Sequence, residues 1–279
     1  SRKNGIMGMG WGLNMGAIRV VTQNGVPDYN SEDTYVLMRQ GGQQKLVFDP
    51  AAGFYRSQVE GAFMKIEKIA DAWQVKDQKG VTYSFGSEGA SRMSDPADPS
   101  RIFQWYLDRV EDVHGNYMEV SYQKEGNYVY PRTIRYTGNA QTNADPFAKV
   151  TFEYESRQDA LFSYMPGFRY QIDQRLSEVT VTVDGQLIRK YVFTYTHPAE
   201  SRHALLTGMR QYGSDGVSSL PELVFSYSVG DTRFENSVNV SHFPSCHIGD
   251  GSVKMLDMNG DSLVDMVKTH GTNGSWDIY

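Results

Sequence analysis

What most constrains this chain is how often it turns back on itself. The phrase EVTVTVDGQLIRKYVFTYT is a hairpin in one line: Val179, Val181 and Val183 lead in, Asp184-Gly185 turn, and Tyr191, Val192, Phe193 and Tyr195 lead out. Successive side chains of a strand point to opposite faces. Asp-Gly is a strong signal for a type I′ turn, whose two central residues both take positive φ. The scheme recurs. HGNYMEVSY sets Met118, Val120 and Tyr122 on one face behind a Gly115-Asn116 turn, and LLTGMRQYGSDGVSSLPELVFSYS ends with Leu223, Phe225 and Tyr227 alternating. In the first third, AIRVVTQNGVPDY, TYVLMRQGGQQKLVF and WQVKDQKGVTYSFG are strand–turn–strand units on Asn-Gly, Gly-Gly and Lys-Gly turns. RIFQWYLDRVED suits a helix or a strand, and is read as a strand. With 27 glycines and 13% aromatic residues, the composition fits pleated strands and tight turns. The expected fold class is all-β, an array of antiparallel hairpins forming a curved sheet, because curling or closing such a sheet manages its exposed edges. The spacing is too irregular for a strict solenoid repeat.

Several classes are excluded. The net charge of -6 is interspersed, with no basic stripe for nucleic acid. No apolar run approaches the roughly 20 residues of a membrane helix, and the opening SRKNGIMGMGWGL carries no apolar signal core. Cys246 is the only cysteine, so no internal disulfide forms. It reads as an ordinary thiol, since a nucleophile needs a positioned base and His247, its neighbour on a strand, points the other way. Composition shifts near residues 231–244, where the Tyr-rich hairpins stop. The expected domains are therefore 1–230 and 231–279.

The second of these opens a different chemistry. In LDMNGDSLVDMV, oxygen ligands fall at relative positions 1, 3, 5 and 9 (Asp257, Asn259, Asp261 and Asp265), with the Leu263 carbonyl at position 7, the pattern of a loop wrapped round calcium. Position 12 is Lys268 where a helical calcium hand needs Glu, and the flanks are strand-like, so the phrase resembles the β-hairpin calcium loop of FG-GAP/VCBS propeller blades. Ser262 stands where such loops carry Gly for a positive-φ turn. Calcium is the one cofactor expected, and a propeller-type blade is expected to start here.

Enzyme motifs are weaker. The opening GMGWGLNMGAIRV lacks the Lys-Ser/Thr end, preceding strand and following helix of a phosphate loop; it reads as close backbone packing around Trp11. Glu32 and Asp33 diverge as strand neighbours and do not make a glycosidase pair. His114 sits in a turn. His242 and His247 near Asp250 are a possible metal cluster. No Gly-x-Ser-x-Gly or His-Glu-x-x-His phrase occurs, and no enzyme is expected.

Taken in order, GMGWGLNMGAIRV, PDYNSEDTYVL, VEGAFMKIEK, WQVKDQKGVTYSFG and RIFQWYLDRVEDVHGN, then LFSYMPGFRYQIDQRL, LLTGMRQYGS and LPELVFSYS, resemble the N-terminal domain of the Salmonella virulence protein SpvB and the B component (TcB) of insecticidal toxin complexes. The resemblance implies a segment of a hollow Rhs/YD-repeat-like β-shell, closed by a C component around a toxic polypeptide. It also implies a propeller that docks on a channel-forming A component, in a secreted, extracellular bacterial assembly. The ADP-ribosyl transfer of SpvB belongs to a separate C-terminal domain and is not implied for this chain. The runner-up function is a surface carbohydrate- or protein-binding β module.

Overall fold

The computed structural model describes residues 4–23, 25–39, 42–198, 203–227, 253–256, 265–270 and 275–278. They fall in two compact units, 1–228 and 229–279. The first begins with a small hairpin of β1 (Asn4–Gly5) and β2 (Gly8–Met9). Then come β3 (Ala17–Val20), β4 (Tyr35–Arg39), β5 (Gly42–Asp49) and β6 (Phe54–Ser57), followed by β7 (Lys65–Ile69), β8 (Ala72–Lys76) and β9 (Thr82–Phe85). A 3-10 turn at Gly89–Ser91 and the short β10 (Arg92–Ser94) lead into β11 (Ile102–Glu111). The helix-compatible phrase is thus a strand.

Each of β3 to β9 pairs antiparallel with the next, and β11 pairs with both ends of the series: Trp105 faces Ile18 on β3, and Val110 faces Tyr83 on β9. Eight strands therefore close into a barrel, which removes their edges. The same β11 starts a ribbon. Arg109 to Glu111 pair with β12 (Asn116–Glu125), and the chain continues through β13 (Tyr128–Asn139), β14 (Ala148–Ser163), β15 (Tyr170–Val183), β16 (Gln186–Thr196), β17 (Leu205–Tyr212) and β18 (Leu223–Val224). Barrel and ribbon form one sheet of 16 strands. The β15–β16 turn is of the expected kind, with Asp184 at φ 48 and Gly185 at φ 77.

Alternate residues of the barrel strands fill its interior: Ile18, Leu37, Ile66, Trp73, Val75, Phe85 and Trp105 are all buried. Tyr35, Tyr55, Trp73 and Trp105 meet edge to face, with Tyr35 and Trp73 4.8 Å apart and Tyr55 and Trp73 5.0 Å apart. Burying an indole such as Trp73 removes roughly 150–250 Å² from water, an upper estimate of about 4–6 kcal/mol. The chain leaves β9 through Gly86, at φ +67, where an added Cβ would lie 2.4 Å from the Trp105 ring. Only glycine fits both the turn and the indole.

Two bulges redirect polar side chains. Asp108 is the extra residue between Leu107↔Phe85 and Arg109↔Ser84, and its buried carboxylate accepts from Ser87 N (2.5 Å), Ser87 Oγ (3.0 Å) and Ser91 Oγ (2.6 Å). On β14, residues 157–160 oppose Asp173 alone, between Ser156↔Gln174 and Leu161↔Ile172. A bulge bends the strand and re-aims its side chains, and this one builds the clasp described below.

In the second unit, β19 (Val253–Leu256), β20 (Asp265–His270) and β21 (Ser275–Ile278) form a three-stranded antiparallel sheet. Among the described residues no helix is long and apolar enough to cross a membrane.

Candidate functional site

The strongest polar constellation of the first unit is centred on Arg157, whose side chain is fully buried, and Asp159, almost so. Their positions two apart on the β14 bulge put both on one side. Arg157 Nε and Nη2 donate to the two oxygens of Asp159 at 2.9 and 2.8 Å, a bidentate pair. Its remaining donors reach back across the chain: Nη1 to Gly5 O and Nη2 to Asn4 Oδ1, both at 2.8 Å. Asp159 also accepts from Asn4 Nδ2 (2.9 Å) and Ala204 N (2.8 Å), and His197 Nε2 lies 3.5 Å away.

Burial alone raises the Asp159 carboxyl. The hydrogen bonds from Arg157, Ala204 N–H and Asn4, with the Arg157 charge, more than offset it and hold the group far below the usual carboxylate range. Four of the five guanidinium N–H donors are engaged, and both carboxylate oxygens accept hydrogen bonds. Such a group fastens chain segments together. What it fastens is the N-terminal hairpin, whose Ile6 O also accepts Leu176 N (2.8 Å) and whose Met9 N donates to Ala204 O (2.8 Å). Gly8 lies so close that a Cβ would stand 2.6 Å from Ala204 O.

The expectation of glycines packed around Trp11 needs correction. The ring is 38% exposed; it packs on Phe225 at 4.8 Å, and its Nε1 donates to Tyr227 OH at 2.9 Å. Gly8 serves the Ala204 contact, Gly8, Gly10 and Gly16 take positive φ, and Gly5 lies against the Trp11 backbone carbonyl and not its ring. Trp11 is thus a brace between the N-terminal loop and the last ribbon strands.

Other sequence candidates are dispersed. Glu32 and Asp33 lie in a loop, where Asp33 accepts Asn30 N (3.1 Å) and Glu32 N donates to Asn30 Oδ1 (2.8 Å); they form no acid–base pair. His114 is exposed in a turn held by Asp112. Glu153 and Glu155 lie in the middle of β14, and Glu155 is ion-paired with Arg175 at 2.6 Å. The calcium phrase spans the connection between β19 and β20, whose register pairs Leu256 with Asp265. Asp257, Asn259, Asp261 and Leu263 lie outside the described residues, as do His242, Cys246, His247 and Asp250; of Asp265 only the backbone, opening β20, is described. Among the described residues no three His, Cys, Asp or Glu side chains cluster to hold a metal.

The ribbon itself is half-buried along almost its whole length on β15, and ends at β18, where Leu223 and Val224 are exposed. Among the described residues nothing pairs with the outer edge of β18. The tip of the β14–β15 hairpin adds exposed Phe162, Tyr164 and Met165. Unpaired backbone and apolar side chains at an edge are a template for further strands.

Comparison with known proteins agrees with this architecture. The family described as SpvB, Salmonella virulence plasmid 65kDa B protein, matches residues 1–144. The mono(ADP-ribosyl)transferases SpvB of Salmonella typhimurium and Salmonella enteritidis are 26% identical over 148 residues, which is 44% of this chain and 25% of theirs. The match thus spans about a quarter of the length of these curated relatives. Among solved structures, the N-terminal domain of effector protein SpvB from Salmonella typhimurium strain LT2 superposes with a TM-score of 0.66 at 19% identity, over 75% of this chain and 90% of that one. TcdB2-TccC3 without its hypervariable C-terminal region gives 0.76 at 19% identity, over all of this chain and 17% of that one. The Photorhabdus luminescens Tc holotoxin pore gives 0.74 at 19% identity, over 98% of this chain and 16% of that one. These likenesses establish the fold.

Proposed function

This chain belongs to the SpvB family, and on that premise we propose that it is a structural β-shell segment of a toxin-complex B-like protein, helping to encapsulate or deliver a toxic polypeptide. The observation that carries the reading is continuity. A barrel closed on itself passes through one shared strand, β11, into a ribbon that stops on an unpaired edge among the described residues. A wall that is to be extended needs a rigid foot and an open margin, and among the described residues this sheet has both. The buried Arg157–Asp159 pair ties Asn4, Gly5 and Ala204 together, which suits a holding role.

On this reading the chain is not itself an enzyme. Residues 1–230 make the wall, and 231–279 begin an FG-GAP/VCBS-like propeller whose first loop binds calcium through Asp257, Asn259, Asp261, the Leu263 carbonyl and Asp265. Its partners are a C-component-like shell half with its enclosed toxin, and a channel-forming A component reached through the propeller, after export from the bacterium. The test is co-expression of the natural full-length protein with its C-component-like neighbour. A hollow particle whose cargo resists protease until the shell is denatured is expected; cargo cleaved as fast as free cargo would refute the proposal. Calcium is tested separately. It should raise the melting temperature, chelator should reverse this, and Asp261→Ala should abolish the response; identical melting curves with calcium and chelator would refute the loop.

A further inference from the structure

The barrel opens at one end on a cavity of about 420 Å³. Eight strands enclose an interior just wide enough to be filled by side chains or to hold one small ligand. Here the Trp73–Trp105–Tyr35 cluster fills the interior and leaves the mouth open. Tyr29, Tyr35, Tyr55 and Trp105 stand around the mouth, together with the polar Asn30, Ser31, Asp33 and Ser100.

One charge in this mouth has no acidic partner among the described residues. Lys68, exposed on β7, donates from Nζ to Tyr35 OH at 3.1 Å. The ammonium also lies 5.0, 5.5 and 5.7 Å from the ring centres of Tyr35, Trp105 and Trp73. Cation–π contacts of this kind hold an ammonium in place without neutralising it. An ammonium has three donors, of which the structure uses one on Tyr35. Among the described residues no carboxylate stands within ion-pair distance of Lys68. The two acids of the cavity are engaged elsewhere: Asp33 accepts the Asn30 N–H at 3.1 Å, and Asp71 pairs with Arg92 at 3.3 Å.

The site therefore combines a seated cation with two free donors, aromatic walls, and small amide and hydroxyl groups. A hydrocarbon would strand the polar rim, and a polyanion such as phosphate would carry more negative charge than the single Lys68 ammonium balances beside Asp33 and Asp71. We propose that the barrel mouth binds a small polyhydroxylated carboxylate of monosaccharide size, a uronate. Its carboxylate takes the free Lys68 donors, its ring lies along the half-buried Tyr29 and Tyr55, and its hydroxyls reach Asn30, Ser31, Asp33 and Ser100. The carboxylate gives the Lys68 ammonium an acidic partner that no described residue provides, and the hydroxyls suit a rim of neutral and acceptor groups.

The test is a titration of the whole chain with galacturonate and glucuronate against their neutral parents galactose and glucose, followed by ligand-detected NMR and by tryptophan fluorescence. Millimolar binding of a uronate is expected, with the neutral parent weaker by about tenfold or more, as loss of one charge-assisted contact requires. Lys68→Met should bring the uronate down to the affinity of the neutral sugar while leaving the melting curve unchanged. Should that variant melt differently, Lys68→Arg is the second probe, and it should keep the preference for uronate. The proposal is overturned by any of four results: no uronate binding up to roughly 20 mM, equal affinity for uronate and neutral sugar, unchanged binding in Lys68→Met, or loss of the preference in a folded Lys68→Arg.

Discussion

Replacing Arg157 with Met is the most direct way to test whether the clasp holds the N-terminal hairpin on the ribbon. Met keeps most of the aliphatic stem, so packing is roughly preserved while the charge and four hydrogen bonds go: two to Asp159, one to Gly5 O and one to Asn4 Oδ1. Asp159, with a side chain only 5% exposed, then stays behind as a carboxylate with Asn4 and Ala204 as its nearest remaining donors. Removing one partner of a buried pair costs about 3–5 kcal/mol because the other charge is stranded. For a unit of this size that corresponds to a fall in melting temperature of roughly 6–20 °C.

The pH dependence identifies the cause. In the wild type the Asp159 carboxyl is held below its unfolded value, so its contribution is fully present above about pH 4 and fades as pH falls further. In the variant the same buried carboxyl, unpaired, is raised, and protonation relieves it. The difference between the two proteins should therefore be largest near pH 7 and shrink towards pH 4. Urea unfolding followed by tryptophan fluorescence at both pH values measures this, and hydrogen exchange should show residues 4–9 losing protection first. A loss below about 1 kcal/mol at pH 7, or one that does not diminish at pH 4, would refute the argument.

Two further outcomes follow from the packing. Gly86→Ala should destabilise by at least about 2 kcal/mol, combining a left-handed φ with a Cβ driven into the Trp105 ring; a thermal melt that moves by less than about 0.5 kcal/mol would contradict the contact. Burial pushes the Tyr122 and Tyr130 phenols well above their usual value, so the stability tied to their neutral forms is complete below about pH 10 and is lost as pH rises through the folded values. Absorbance at the phenolate band should then rise in two stages, the second coinciding with loss of near-ultraviolet dichroism; one reversible wave for all 18 tyrosines would contradict it.

Which of these features a reader of the sequence can see depends on how far apart their parts lie. The Asp184-Gly185 hairpin is decided by two residues whose backbone preferences are local, and it folds as its turn requires. The strand content of residues 102–111 is legible for the same reason, through aromatic and β-branched residues at short range. Closure is another matter. That β11 takes β3 on one edge and β9 on the other depends on pairings between residues such as Trp105 and Ile18, and no turn signal records them. The alternation on β11 tells which residues face inward but not that the inward faces meet around a ring. The clasp was hidden similarly. Arg157 and Asn4 are 153 residues apart, and on a regular strand ESRQDA reads as a solvated charged stretch.

A local trace of the clasp nevertheless exists. Between Tyr154 and Leu161 the apolar alternation lapses, and this is where the register of β14 skips and its charged side chains turn inward. A lapse in an otherwise alternating strand marks a bulge, and an Arg and an acid two residues apart within it mark a buried pair in search of a third segment. The same logic applies to Trp11. A large indole among glycines suggested a partner nearby, whereas its partners Phe225 and Tyr227 lie at the far end of the ribbon, 216 residues from Trp11 in the case of Tyr227. Of the neighbouring glycines, Gly8 is the one pressed on Ala204. In a fold built by zipping neighbouring hairpins, short-range signals therefore specify the strands, and the few long-range polar and aromatic contacts specify where the zipped sheet is tied down. Those ties are where single substitutions should cost most, because they cannot be replaced by the hairpin next door.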